Sequence, residues 1–189
     1  MTGQLLLGTV GFALCAAGDV WGALYKKKGG GALFVLGCLA LMASAAGLLA
    51  DCWPGALPAQ PWRWIFAPGA AVGLGLLVHT LFFALPSAGS SPLPPEKGMQ
   101  PLADKGVYGL CRHPGVLWLG MVLLCLWGLA GEPAMGAAFG LFTGLDIVYV
   151  WWQDRFVFPK TIQGYTEYQQ RVPFLLPAWP RKPRGGNTR

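Results

Sequence analysis

The stretch GVYGLCRHPGVLWLGMVLLCLWGLAG, residues 106–131, decides how this chain is to be read. A short segment holding Tyr108, Arg112 and His113 runs directly into 18 residues without a charge. Pro114 stands at the junction, where a proline suits the first turn of a helix because its missing N–H is not needed there. Such a run, capped by an arginine, is the edge of a hydrophobic helix meeting water.

Working outward, the same character extends over the chain. Of 189 residues, 54% are hydrophobic and 12% charged. A soluble domain carries about 25% charged residues, and a soluble globule of this length could not bury so much apolar surface. Five apolar segments appear: Leu5–Tyr25, Ala32–Ala50, Ile65–Leu85, Pro114–Gly131 and Ala134–Trp152. A helix needs about 20 residues to cross a bilayer, with a tolerated range of about 17 to 25. The fourth is the shortest. In lipid the backbone must satisfy its own hydrogen bonds, so these segments are helices. The expected fold is therefore all-α, a polytopic membrane protein of about five transmembrane helices. Residues 1–177 form one domain, and 178–189 form a loose basic tail. Glycine and alanine along the spans let helices approach closely.

The first segment is expected to be a retained span. It lacks a basic start, and Lys26–Lys28 follow it, the charge order of a helix whose N-terminus lies outside. If the loops after spans one and three share a side with the tail, that side holds every Lys and Arg of the 14 except Arg63. The positive-inside rule then puts the C-terminus in the cytoplasm. Residues 87–98 form a Pro/Ser/Gly connector. The net charge of +6 is spread over these short segments, which argues against nucleic acid as a partner. The bilayer is the expected surrounding. Five cysteines without CxxC or metal spacing read as small buried hydrophobes, and no metal site is expected.

Polar content concentrates in Gln100–Pro114 and Gln153–Pro177. The second segment mixes aromatics with charges and can lie along the membrane surface as an interfacial helical segment over the helix ends. Arg112 and His113 before a helix N-terminus suit an anionic group. The alternative is an arginine that snorkels to lipid headgroups beside an interfacial histidine. Asp19, His79 and Asp146 lie within spans, where charge is costly and faces a bundle interior or a watery cavity. They either border a pocket or make polar contacts between helices.

The ordered pair LADKGVYGLCRHP and YTEYQQRVPFLLP, residues 102–114 and 165–177, flanks a two-span hairpin. This arrangement resembles the isoprenylcysteine carboxyl methyltransferase and phospholipid methyltransferase superfamily of integral membrane enzymes. The matching positions are Leu102, Gly106, Tyr108, Arg112, His113, Pro114, Tyr165, Tyr168, Val172 and Pro173. The resemblance covers residues 100–177. The chain departs from the pattern at Gln100, where the family often has His, and at Val116 and Trp118 after Arg-His-Pro. It departs also at Gln153-Asp154, where the family has an acidic pair, and at TIQG before the first Tyr.

The resemblance implies methyl transfer from S-adenosylmethionine to a lipophilic acceptor, with the site facing the cytoplasm. Gln100, Leu102, Tyr108, His113, Pro114, Asp154 and Tyr165 would hold the cofactor. Arg112 and His113 would be catalytic, with His113 a base only if the acceptor demands one. Arg112, Asp146 and Tyr168 would meet the acceptor, or Arg112 the cofactor carboxylate. The runner-up readings are an NADPH-dependent membrane reductase of related architecture and a non-catalytic member of the family.

Overall fold

The computed structural model describes residues 1–25, 30–52, 60–84 and 99–177. Lys26–Lys28, Trp53, the connector at 87–98, Lys97 and the tail at 178–189 lie outside the described residues. Among the described residues every regular element is helical, and a single isolated bridge joins Gln100 to Ile162. The long helices are α1 (Thr2–Tyr25), α2 (Gly30–Cys52), α3 (Phe66–Val78), α4 (Pro114–Ala130) and α5 (Pro133–Trp152). Short helices α6 (Phe158–Thr161) and α7 (Tyr165–Arg171) come after them.

Four of these helical stretches are long and apolar enough to cross a membrane: Thr2–Gly22, Gly30–Cys52, Pro61–Leu81 and Pro133–Thr161. The third counts the 3-10 turn Pro61–Ile65 and part of the π-helical turn His79–Phe83, which flank α3. α4, at 17 residues, spans about 26 Å, close to the thickness of a bilayer core. Pro114 and Pro133 each sit in the first turn of their helix, as the sequence requires of a proline at those places. Large apolar side chains such as Leu39, Met42, Val72, Phe83 and Val148 are more than half exposed. Such a surface is compatible with a lipid surrounding.

Neighbours pack in the order α2, α1, α5, α4, α3. Glycines make the α1–α2 contact. A Cβ on Gly37 would lie 2.7 Å from the Gly11 carbonyl oxygen, and one on Gly18 would lie 2.7 Å from the Gly30 carbonyl oxygen. The backbones therefore touch, as small-residue interfaces in membranes allow. Ser44 fastens the same pair by donating to the Gln4 carbonyl at 2.6 Å. Phe12 of α1 meets Phe142 of α5 at 6.2 Å and joins Leu48, Leu123, Met135 and Ala138 in the main core. On the other side Gly73 of α3 fits against Met121 and Val122 of α4.

At the end remote from Arg112, Gly131 turns left-handed (φ 71°) to stop α4, and Arg63 Nη1 donates to the Ala130 carbonyl at 2.7 Å. This is a glycine C-terminal stop reinforced by a cation. A Cβ at Gly131 would run into the Arg63 guanidinium. Gly131→Ala is thus expected to cost about 1–2 kcal/mol of stability, read as a lower melting temperature in detergent. An unchanged melting temperature would mean the turn relaxes freely.

Candidate functional site

The residue before a proline is pushed out of the helical region. His113 accordingly takes φ −125° and ψ 62°, and its side chain caps nothing. The imidazole is left free to reach across to the end of α5. There the helix widens into a π-helical turn, Gln153–Val157, in which the Phe158 N–H reaches back five residues to the Gln153 carbonyl. Such turns recur at functional sites. This one presents Asp154.

The Asp154 carboxylate gathers the site. Oδ1 accepts from the Tyr165 hydroxyl at 2.7 Å and faces His113 Nε2 at 3.1 Å. Oδ2 accepts from Arg112 Nη2 and from Gln169 Nε2, each at 3.0 Å. Arg112 Nε lies 2.9 Å from Oδ1, but its N–H is out of line, so it adds charge attraction without a hydrogen bond. The Arg112 guanidinium and the Tyr165 and Gln169 donors supply this carboxylate with a counter-charge and hydrogen bonds. An ionised carboxylate only accepts, so His113 carries its proton on Nε2.

Arg112 is fixed from a second side. Its Nη1 donates to the carbonyls of Gln169 (2.7 Å) and Val172 (3.0 Å), and Phe174 lies 5.7 Å beneath the guanidinium. The main chain is laced to the same segment, with Arg112 N–H on Pro173 O (2.9 Å) and His113 N–H on Phe174 O (3.2 Å). Phe158 stacks on the His113 ring at 5.9 Å and 16°. The segment after α5 thus folds back over the start of α4. A cavity of about 460 Å³ opens beside this cluster, lined by Arg112, Trp151, Asp154, Arg155, Gln169 and Phe174.

Of the residues nominated from sequence, Arg112, His113, Asp154 and Tyr165 meet directly. Leu102, Tyr108, Pro114 and Tyr168 pack behind them, and Asp146 stands apart. Tyr168 is buried and donates to the Tyr108 carbonyl at 2.7 Å. Tyr108 in turn donates to the Thr80 carbonyl at 3.2 Å. Leu102 packs on Tyr165, Tyr168 and Val172. Pro114 is fully buried. Gln100 pairs through its main chain, its N–H on Thr161 O at 2.7 Å. Asp146 stands two helical turns before Asp154 on α5, half-buried and with no hydrogen bond among the described residues. Burial raises the pKa of the Tyr165 phenol, and its bond to Asp154 raises it further. Burial likewise raises those of Tyr168, Tyr108 and the Cys111 thiol. These groups stay protonated at neutral pH, and Cys111 is no nucleophile.

Gln169, Trp151, Arg155 and Phe174 were not nominated. Gln169 lies four residues after Tyr165 and so shares its helix face; that spacing was the available signal. Trp118 donates from Nε1 to Thr80 Oγ1 at 3.1 Å and ties α4 to the turn after α3.

No family model, no curated protein and no solved structure matches this chain.

Proposed function

We propose that this chain is an integral membrane S-adenosylmethionine-dependent methyltransferase acting on a lipophilic acceptor. We also infer that its N-terminus lies outside and its site faces the cytoplasm. The supporting observation is the convergence of Arg112, His113, Asp154 and Tyr165. They come from segments separated by two spans and share one carboxylate beside one cavity.

The cavity's chemistry fits the donor. Arg112 and Arg155 suit a carboxylate, and Trp151 and Phe174 offer aromatic faces to an adenine or a cationic sulfur. Its volume falls within the common range for small-molecule sites, about 300–1,000 Å³. When bound, S-adenosylmethionine supplies an electrophilic methyl group on a cationic sulfur. The chain's own part is alignment and exclusion of water, for which the fourfold hold on Asp154 keeps Arg112 and His113 in place. With Nε2 turned to Asp154, His113 holds its proton inward. An acceptor that is already a nucleophile, such as a carboxylate, therefore suits the arrangement best. A polar donor from the cytosol and an oily acceptor from the bilayer can both reach a cavity at the ends of α4 and α5.

A second reading, a non-catalytic family member, draws support from one observation. Both Asp154 oxygens already have protein donors. Melting temperature in detergent separates the readings. A ligand at 100 times its Kd stabilises by about 2.7 kcal/mol. S-adenosylhomocysteine should raise the melting temperature by several degrees (about 2–4 °C per kcal/mol in a chain this long), and NADPH should not. His79→Ala, at an exposed position on the turn after α3, should leave that shift intact. A shift with NADPH alone supports the reductase, and no shift with either supports the non-catalytic reading.

A further inference from the structure

Position 153 carries an amide where the family pattern has the first of two acids, and a carboxylate comes to it from the first helix. Asp19 Oδ2 accepts from Gln153 Nε2 at 2.6 Å and from the Tyr149 hydroxyl at 2.5 Å. Gln153 is buried and adjoins Asp154 in sequence. It is also the residue whose carbonyl makes the five-residue bond that opens the π-helical turn. A π-helical turn is not the backbone's default. Resetting it to α would shift the phase of the downstream residues by one position, about 100°, and would turn that segment away from His113 and Arg112. Something must hold the turn. A carboxylate inside a span is costly unless its environment compensates, and Asp19 has no cation paired with it among the described residues. Its two short bonds both go to α5 and its extension.

We propose that Asp19 is a positioning residue for this site. Through Gln153 it fixes the π-helical turn that presents Asp154, and so couples the α1–α2 hairpin to the cavity. The assignment rests on the methyltransferase reading only for the ligand used in one of its two tests.

A charge exchange across the pair tests it. Gln153→Glu sets two carboxylates at a 2.6 Å contact, which like charges do not tolerate. Adding Asp19→Asn restores one amide and one carboxylate with the places reversed. S-adenosylhomocysteine affinity and hydrogen exchange of the 153–158 amides are read on both proteins. Gln153→Glu should weaken binding and speed local exchange by at least about tenfold. The double variant should return both to within about threefold of wild type. Exchange in α2 should stay at the wild-type rate in all three. Failure of the double variant to recover, or faster exchange in α2 as well, overturns the assignment. If the wild type binds no S-adenosylhomocysteine, the methyltransferase reading fails, and the exchange pattern alone decides the role of Asp19.

Discussion

Asp154→Ala is expected to abolish S-adenosylhomocysteine binding and to lower stability by about 3–5 kcal/mol, the range for removing one partner of a buried ion pair. The carboxylate takes hydrogen bonds from Arg112, Tyr165 and Gln169 and faces His113 Nε2. Its loss leaves a guanidinium about nine-tenths buried and without its counter-charge. Arg112 would keep its bonds to Gln169 O and Val172 O but lose the anion that orients it. Ligand calorimetry and thermal unfolding should both report the change. Membrane insertion should not, because the five apolar helices are untouched. Asp154→Asn should sit between the two, retaining shape and some hydrogen bonds without the charge. A variant that binds as well as wild type would remove Asp154 from the site.

Gly37→Leu is expected to have the second largest effect. Even a single Cβ at this position would lie 2.6 Å from Cys15 Sγ and 2.7 Å from the Gly11 carbonyl oxygen. Backbone cannot yield as a flexible side chain does, so α2 would have to move off α1. The cost should reach the upper end of the overpacking range, about 3 kcal/mol. The same substitution at Gly31, where a Cβ meets nothing within 4 Å, should be nearly neutral. Unfolding titrations of the two variants side by side would measure the contrast. Equal losses would mean that the α1–α2 contact contributes little.

Legibility from the sequence divides along physical lines. The apolar runs gave the helices because lipid leaves the backbone no other choice. Pro114 marked the start of the fourth helix, and it opens that helix in the structure. Arg112, His113, Asp154 and Tyr165 were singled out by motif, and they meet. Helix neighbour order was hidden, since nothing in a uniformly apolar helix says which other helix it touches. For that reason the bond from Gln153 to Asp19, 134 residues apart, could not be foreseen. The Tyr168 hydroxyl donates to the Tyr108 carbonyl, a contact that no motif announced. A phenol's direction depends on tertiary packing that residue type does not encode. The π-helical turn at Gln153 was equally invisible, because no residue type in Gln153–Val157 marks it.

The proposed site is tested most directly by one titration: S-adenosylhomocysteine into the detergent-solubilised wild-type protein, monitored by calorimetry. Saturable binding is predicted at one site per chain below about 1 mM, lost in Asp154→Ala and kept in His79→Ala. No heat at millimolar ligand, or the same heat from all three proteins, would contradict it.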